Sequence, residues 1–137
     1  GDPETQVVLA RLASPLAQVL FAAATGTLGD LPPLAWHRGA AVTVVIASKG
    51  YPENPLTGDR IEGLDEAGGV EGVTVLHAGT RATAEGIVTA GGRVLSVTAQ
   101  GKSLGEARNR AYAAIDLISI KGAHHRSDIA QAAALHQ

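Results

Sequence analysis

The chain has no cysteine and no methionine, and its aromatic rings are limited to one tryptophan, two tyrosines and one phenylalanine among 137 residues. Without cysteine there can be no disulfide framework, no thiolate nucleophile and no cysteine-ligated zinc. The missing methionine extends to position 1, which implies a fragment or a processed product. No apolar run approaches the roughly 20 residues that cross a bilayer, and the opening GDPETQ lacks a basic stretch followed by an apolar one. A cytoplasmic protein is therefore expected. Neither sign of charge dominates: 11 basic residues face 13 acidic ones, the formal net charge is -2 and the pI is near 6.2. Nucleic-acid partners are disfavoured, because a polyanion is normally met by a basic patch or stripe. Also missing are a G-x-S-x-G elbow, a Walker A loop and a Rossmann glycine fingerprint, so self-contained nucleotide or acyl-transfer chemistry loses its usual signatures.

What is present is enough to fold. Apolar residues make up 45% and charged residues 18%, far from the composition of disorder, and the length suits one compact unit. Asp2 and Pro3 read as N-cap and first position of a helix, with Glu4 at the positive end of its dipole. Val8, Leu9 and Leu12 recur at helical spacing, Ser14-Pro15 renews the start signal, and Leu16, Val19, Leu20 and Ala23 continue the stripe towards Gly26. This gives two helices or one kinked helix. Residues 27–39, with Gly29, Pro32 and Pro33, read as a connection, and Trp36 is expected to anchor it against a core rather than stack on a ligand.

The run AVTVVIA from Ala41 to Ala47 has the β-branched enrichment of a buried strand. Further strands are expected at Arg60 to Leu64, Val73 to Ala78, Gly86 to Ala90 and Arg93 to Ala99, separated by glycine-bearing turns that suggest antiparallel neighbours. Gly91-Gly92 reads as a two-residue hairpin turn between the last two of these. In the final strand Leu95, Val97 and Ala99 alternate with Val94, Ser96 and Thr98, so one face is apolar and the other mixed. Ser103 and Glu106 form a capping box before a helix whose stripe is Ala107, Ala111, Ile115 and Ile118, with Arg108 and Arg110 on a solvated face. A last helix is expected after Ser127, fraying towards Gln137. The class is α+β.

Chemistry-bearing residues are scattered. His37, His77, His124, His125 and His136 show no H-E-x-x-H motif and no pair at i, i+4, so a zinc site is not expected, and His124-His125 reads as exposed loop. Four glycine-bearing turns stand near polar groups: SKGYP at 48–52, TGD at 57–59, HAGT at 77–80 and TAGGR at 89–93. Each is explained by ordinary turn chemistry, yet glycine also permits close approach of backbone N–H groups to a phosphate, with Lys49 or Arg93 supplying charge.

Taken in order, GDPETQ, GYP with TGD, an I-x-G-L segment, V-x-HAGT, VTAGGRVLSVTA-x-G, EAR-x-RAY and R-x-DI resemble phosphoribosylamine–glycine ligase from Gly1 to about Ile129. That family is similar to other ATP-grasp enzymes, and the chain resembles its carboxy-terminal portion. The resemblance implies two parts: residues 1–38 as the helical end of the ATP-grasp domain with its connection, and 39–137 as an antiparallel α+β domain, rudiment-single-hybrid-like. It implies ATP with Mg2+ or Mn2+ for the whole enzyme, the metal being held by a Glu-x-Asn segment just upstream of Gly1. The partners implied are the remaining domains of the same enzyme, with glycine and 5-phosphoribosylamine as substrates. No acid, base or nucleophile is implied within the chain.

By the same resemblance Asp2, Pro3 and Glu4 should lie at the rim of the catalytic centre, and Asp2 either caps the helix or orients substrate. Gly50, Tyr51, Gly58, Asp59, His77, Gly79, Thr80, Gly92 and Arg93 should line the substrate side of the cleft. Arg93 is the foremost candidate, as a bidentate phosphate ligand or as a structural ion pair. Two other readings remain open: a free-standing binding module of the same fold, and an ATP-grasp ligase acting on another amine.

Overall fold

The computed structural model describes residues 1–135, so expectations for His136 and Gln137 lie outside the described residues. Helices α1 (Glu4–Arg11) and α2 (Leu16–Thr25) come first, followed by a 3-10 turn at Leu28–Asp30. Strand β1 (Ala40–Ala47), strand β2 (Ile61–Glu62), helix α3 (Leu64–Gly68) and strand β3 (Val73–His77) come next. Strands β4 (Thr80–Thr83), β5 (Gly86–Thr89) and β6 (Arg93–Gly101) precede helix α4 (Leu104–Ile115), strand β7 (Ser119–Ile120) and helix α5 (Gln131–Ala134). All strand pairs are antiparallel: β1-β6-β3 form the main sheet, and β2-β7 and β4-β5 form two small ribbons. The α+β expectation with antiparallel pairing holds.

The core sits between the main sheet and α4. Alternation sends Val42, Val44 and Ile46 of β1 and Leu95, Val97 and Ala99 of β6 to one face, where they meet Ala107, Ala111, Ala114 and Ile115. Three alanines on that helix stripe let α4 lie close to the sheet, the reason a helix with few large side chains still packs well. Ser103 caps α4 by accepting from the Glu106 amide at 3.1 Å. Glu106 reaches back to the amide of Lys102, at 2.6 Å, rather than to that of Ser103, so the box closes one residue earlier than the usual pattern. The opposite sheet face carries Thr43 and Thr98, whose buried hydroxyls bond each other at 2.8 Å, and Thr43 also donates to Gln6 of α1 at 3.2 Å. Pairing them removes the cost of burying lone hydroxyls.

Several local expectations are corrected. Asp2 does not cap α1: Pro3 occupies that position without a side-chain cap bond, and the Asp2 carboxylate pairs with Arg93 instead. Gly91-Gly92 is not a hairpin turn, because β5 pairs with β4 through the two-residue loop Ala84-Glu85, where Gly86 takes φ +122°. The glycine pair instead carries the chain from one sheet to another. The expected strand from Arg60 to Leu64 shortens to β2, since Gly63 at φ +79° turns the chain into α3. Trp36 ties the connection down by its backbone bridge to Leu12 and not by core packing, for the residue is 47% exposed.

Arg108 and Arg110 are not a plain solvated face. Arg110 donates to the Gln100 carbonyl and pairs with Glu71 and Glu106, and Arg108 donates to the carbonyls of Ser127 and Ile129. The last helix is a single short turn that begins at Gln131. The Gly26 stop was correctly placed: it caps α2 in the left-handed region at φ +73°.

Helix α2 contrasts with the core. No charged residue lies between Arg11 and Asp30, yet Leu20 is 60% exposed and Phe21 is 70% exposed. A helix apolar on every side is normally buried on every side. Amide exchange in this chain should therefore find α2 far less protected than β6, and equal protection would contradict the packing described. Leu95→Ala, which empties the centre of the sheet–helix core, should cost about 2–5 kcal/mol in denaturant unfolding.

Candidate functional site

Strand β6 begins with an irregularity that shapes the site. Ile46 faces Leu95, but the next residue of β1, Ala47, faces Arg93, so Val94 is an extra residue and β6 is bulged there. Val94 turns into the core and is fully buried. The amides of Ala78 and Gly79 bond the bulge carbonyls: Ala78 donates to Val94 at 3.0 Å and Gly79 to Arg93 at 2.9 Å. A side chain at position 79 has no space, since its first carbon would stand 2.6 Å from the Arg93 carbonyl oxygen. The glycine of HAGT is thus tied to the shape of β6.

The four glycine-bearing turns meet at this place. Ser48 donates to Gly92, Ala90 to Gly79, and Gly58 to Thr89, whose own amide donates to Asp59. The loop from Lys49 closes through Gly50, at φ +82°, with the Asn54 amide donating to the Gly50 carbonyl. Tyr51 then lies over Gly92, where any side chain would collide with its ring.

Beside this junction opens a cleft of about 310 Å³. Its floor includes Thr43, Val45 and Ala47 of β1, one rim is formed by Asp2 and Pro3 with Tyr51 and Arg93, and the far wall is His124, His125, Arg126 and Ile129. Arg93 Nε stands 3.1 Å from Asp2 Oδ2, and Arg93 Nη1 donates to the Tyr51 hydroxyl at 3.1 Å. On the far wall Arg126 grips Asp128 with two parallel bonds of 2.8 and 2.6 Å. That hydrogen bond, and the charge behind it, hold the Asp128 carboxyl below its ordinary value and the Arg126 guanidinium above its own. His124 is fixed through its backbone, which exchanges two bonds with Ala47.

Of the residues singled out from the sequence, Asp2, Pro3, Tyr51 and Arg93 line the cleft; Gly92 lies against the Tyr51 ring, and Gly50 against the Asn54 backbone in the loop that carries Tyr51. Glu4 opens α1 and is exposed. Gly58, Asp59, Gly79 and Thr80 do not line it, and neither does His77, which bonds the Thr80 hydroxyl at 2.9 Å. The wall from His124 to Ile129 was not anticipated. The signal for it lay in EAR-x-RAY and R-x-DI, for the two motifs are one contact: Arg108 and Tyr112 hold the backbone of 126–129. Among the described residues no group of three or more His, Asp or Glu could hold a metal ion.

This architecture is similar to that of part of a solved ligase. A solved structure of phosphoribosylamine–glycine ligase from Thermotoga maritima superposes with a TM-score of 0.79 at 32% identity, covering 94% of this chain and 31% of that one. Residues 41–132 match the family described as phosphoribosylglycinamide synthetase, C domain, and the chain belongs to that family. A phosphoribosylamine–glycine ligase of Streptomyces coelicolor is 61% identical over 136 residues, which is 98% of this chain and 33% of that protein. The Mycobacterium tuberculosis ligase is 51% identical over 135 residues, 98% of this chain and 31% of the relative. The chain thus spans about a third of the length of the curated relatives it matches.

Two measurements check the site. Carbon-detected titration should find the Asp128 midpoint below that of a free aspartate, so the pair stabilises at neutral pH and its contribution fades only as acid takes the carboxylate through that lowered midpoint. Arg126→Gln should move the midpoint back up. Gly79→Ala should destabilise the fold by about 1–3 kcal/mol in chemical denaturation, because backbone rather than a flexible side chain must give way.

Proposed function

We propose that this chain is the closing carboxy-terminal portion of a phosphoribosylamine–glycine ligase, an ATP-dependent enzyme of purine biosynthesis. In that reaction the carboxylate of glycine is activated by ATP as an acyl phosphate, and the amine of 5-phosphoribosylamine displaces phosphate to give the amide. ADP leaves when the carboxylate oxygen takes the γ-phosphoryl group, and phosphate and a proton leave when the amine nitrogen bonds the acyl carbon. The observation that carries the reading is family membership along nearly the whole chain, joined to a cleft whose rim is Asp2, Tyr51 and Arg93.

Nucleotide and Mg2+ or Mn2+ belong, on this reading, to the rest of the polypeptide. The described residues offer neither a phosphate loop nor a metal cluster. What this chain supplies is enclosure and orientation. Its cleft brings guanidinium and hydroxyl donors to the anionic ends of glycine and phosphoribosylamine, holding amine and acyl group within attacking distance while excluding water. Residues 1–38 form the end of the ATP-grasp domain and 39–137 a rudiment-single-hybrid-like domain, a division supported by the start of the family match at residue 41 and by the uncharged, exposed α2. The whole enzyme works in the cytoplasm. No helix of the described residues is long and apolar enough to cross a membrane.

The purified 137-residue chain should release no ADP in response to glycine, phosphoribosylamine and MgATP, as read by a coupled assay. The full-length protein that contains it should do so. Turnover by the chain alone would remove the proposal.

A further inference from the structure

By simple alternation Arg93 belongs with Leu95, Val97 and Ala99, on the face of β6 that packs against α4. A guanidinium there would lie in the core, at a desolvation cost no partner in that core could offset. The bulge at Val94 prevents this. It places a valine in the core and sets Arg93 opposite Ala47, on the face of Thr43 and Val45 that floors the cleft. Bulges commonly re-aim one side chain beside a functional site, and this one is held by amides of the HAGT turn.

Once there, the guanidinium is held on two sides. Asp2 takes Nε, the Tyr51 hydroxyl takes Nη1, and the Tyr51 ring lies 5.9 Å from the guanidinium carbon. Arginine carries five N–H donors in a planar fork, so these two bonds leave three, both of those on Nη2 among them, enough to meet the two oxygens of a phosphate or carboxylate. Three separate chain segments, at residues 2, 51 and 93, converge to fix one plane. Both carboxylate and hydroxyl are half-buried or exposed, so the arrangement adds little stability by itself. Its value lies in orientation.

Resting on the cleft reading above, we propose that Arg93 is the oxyanion-binding residue of this cleft and that Asp2 and Tyr51 are positioning residues that orient its fork. The ligand is a phosphate or a carboxylate, which present the same pair of oxygens. This explains why the chain spends a bulge, two turn amides and two glycines without side-chain space, at 79 and 92, on one arginine.

The test uses the full-length protein, titrated with inorganic phosphate and separately with glycine, read on the backbone amides of Tyr51 and His124 by NMR. Arg93→Ala and Arg93→Lys should weaken one of the two probes by roughly tenfold or more, since an ammonium cannot reproduce the fork. Asp2→Asn and Tyr51→Phe should weaken the same probe by about three- to tenfold, raising KM for the matching substrate more than they lower kcat. Loss confined to phosphate identifies a phosphoryl ligand, and loss confined to glycine a carboxylate. Unchanged binding of both probes in Arg93→Lys, with the fold intact, would overturn the inference while leaving the cleft reading in place. Tighter binding in Asp2→Asn would also overturn it, since Asp2 would then be competing with the ligand. Failure of the wild-type protein to shift these amides with either probe would defeat the cleft reading itself. Should Arg93→Ala not fold, Arg93→Lys and Tyr51→Phe decide the matter.

Discussion

Strand β6 is the constraint on which the structure depends. It is hydrogen-bonded along both edges, to β1 and β3, while its residues from Val94 to Thr98 are buried. A strand so enclosed has no water to satisfy a stray polar group. Its side chains must be apolar on the helix face and mutually bonded on the other, as Thr98 is with Thr43. The same enclosure leaves only the ends of the strand free to do chemistry. One end is bulged, and that irregularity is what turns a core position into a cleft position.

Much of the secondary structure was legible because it is set locally. The AVTVVIA and RVLSVTA runs, the Ser103 cap and the Gly26 stop each rest on neighbouring residues, and each was found. Pairing was harder to read. Gly91-Gly92 has the composition of a hairpin turn, but β6 is claimed by β1 from fifty residues away, and β5 is left to pair with β4. Asp2 likewise has the composition of a helix cap, and a partner distant in sequence, Arg93, takes its carboxylate. Local propensity gives way wherever a longer-range contact satisfies the same atoms.

The site was legible in part for the same reason. Turn glycines announce themselves, and the structure does gather all four turns, but as a knot of backbone bonds beneath the cleft more than as its lining. Glycine at 79 marks support for β6, and glycine at 92 makes room for Tyr51. The wall from His124 to Ile129 was missed because its position follows from partners distant in sequence, Ala47 of β1 for His124 and Arg108 and Tyr112 of α4 for residues 126–129. The match to the phosphoribosylglycinamide synthetase family takes in all of these turns, which lie between residues 48 and 93.

That wall has a further meaning. Tyr112 donates to the carbonyl of Arg126 and receives the amide of Ile129, while Arg108 holds two carbonyls nearby and lies over the Tyr112 ring at 4.6 Å. The stretch of wall that carries Arg126 and Ile129 is therefore fastened to a helix on the far layer of the domain, while His124 beside it is fastened to β1 through Ala47. Substitutions at Arg108 or Tyr112 of α4 therefore reach the lining of the opening through the backbone those side chains hold, without meeting whatever enters it.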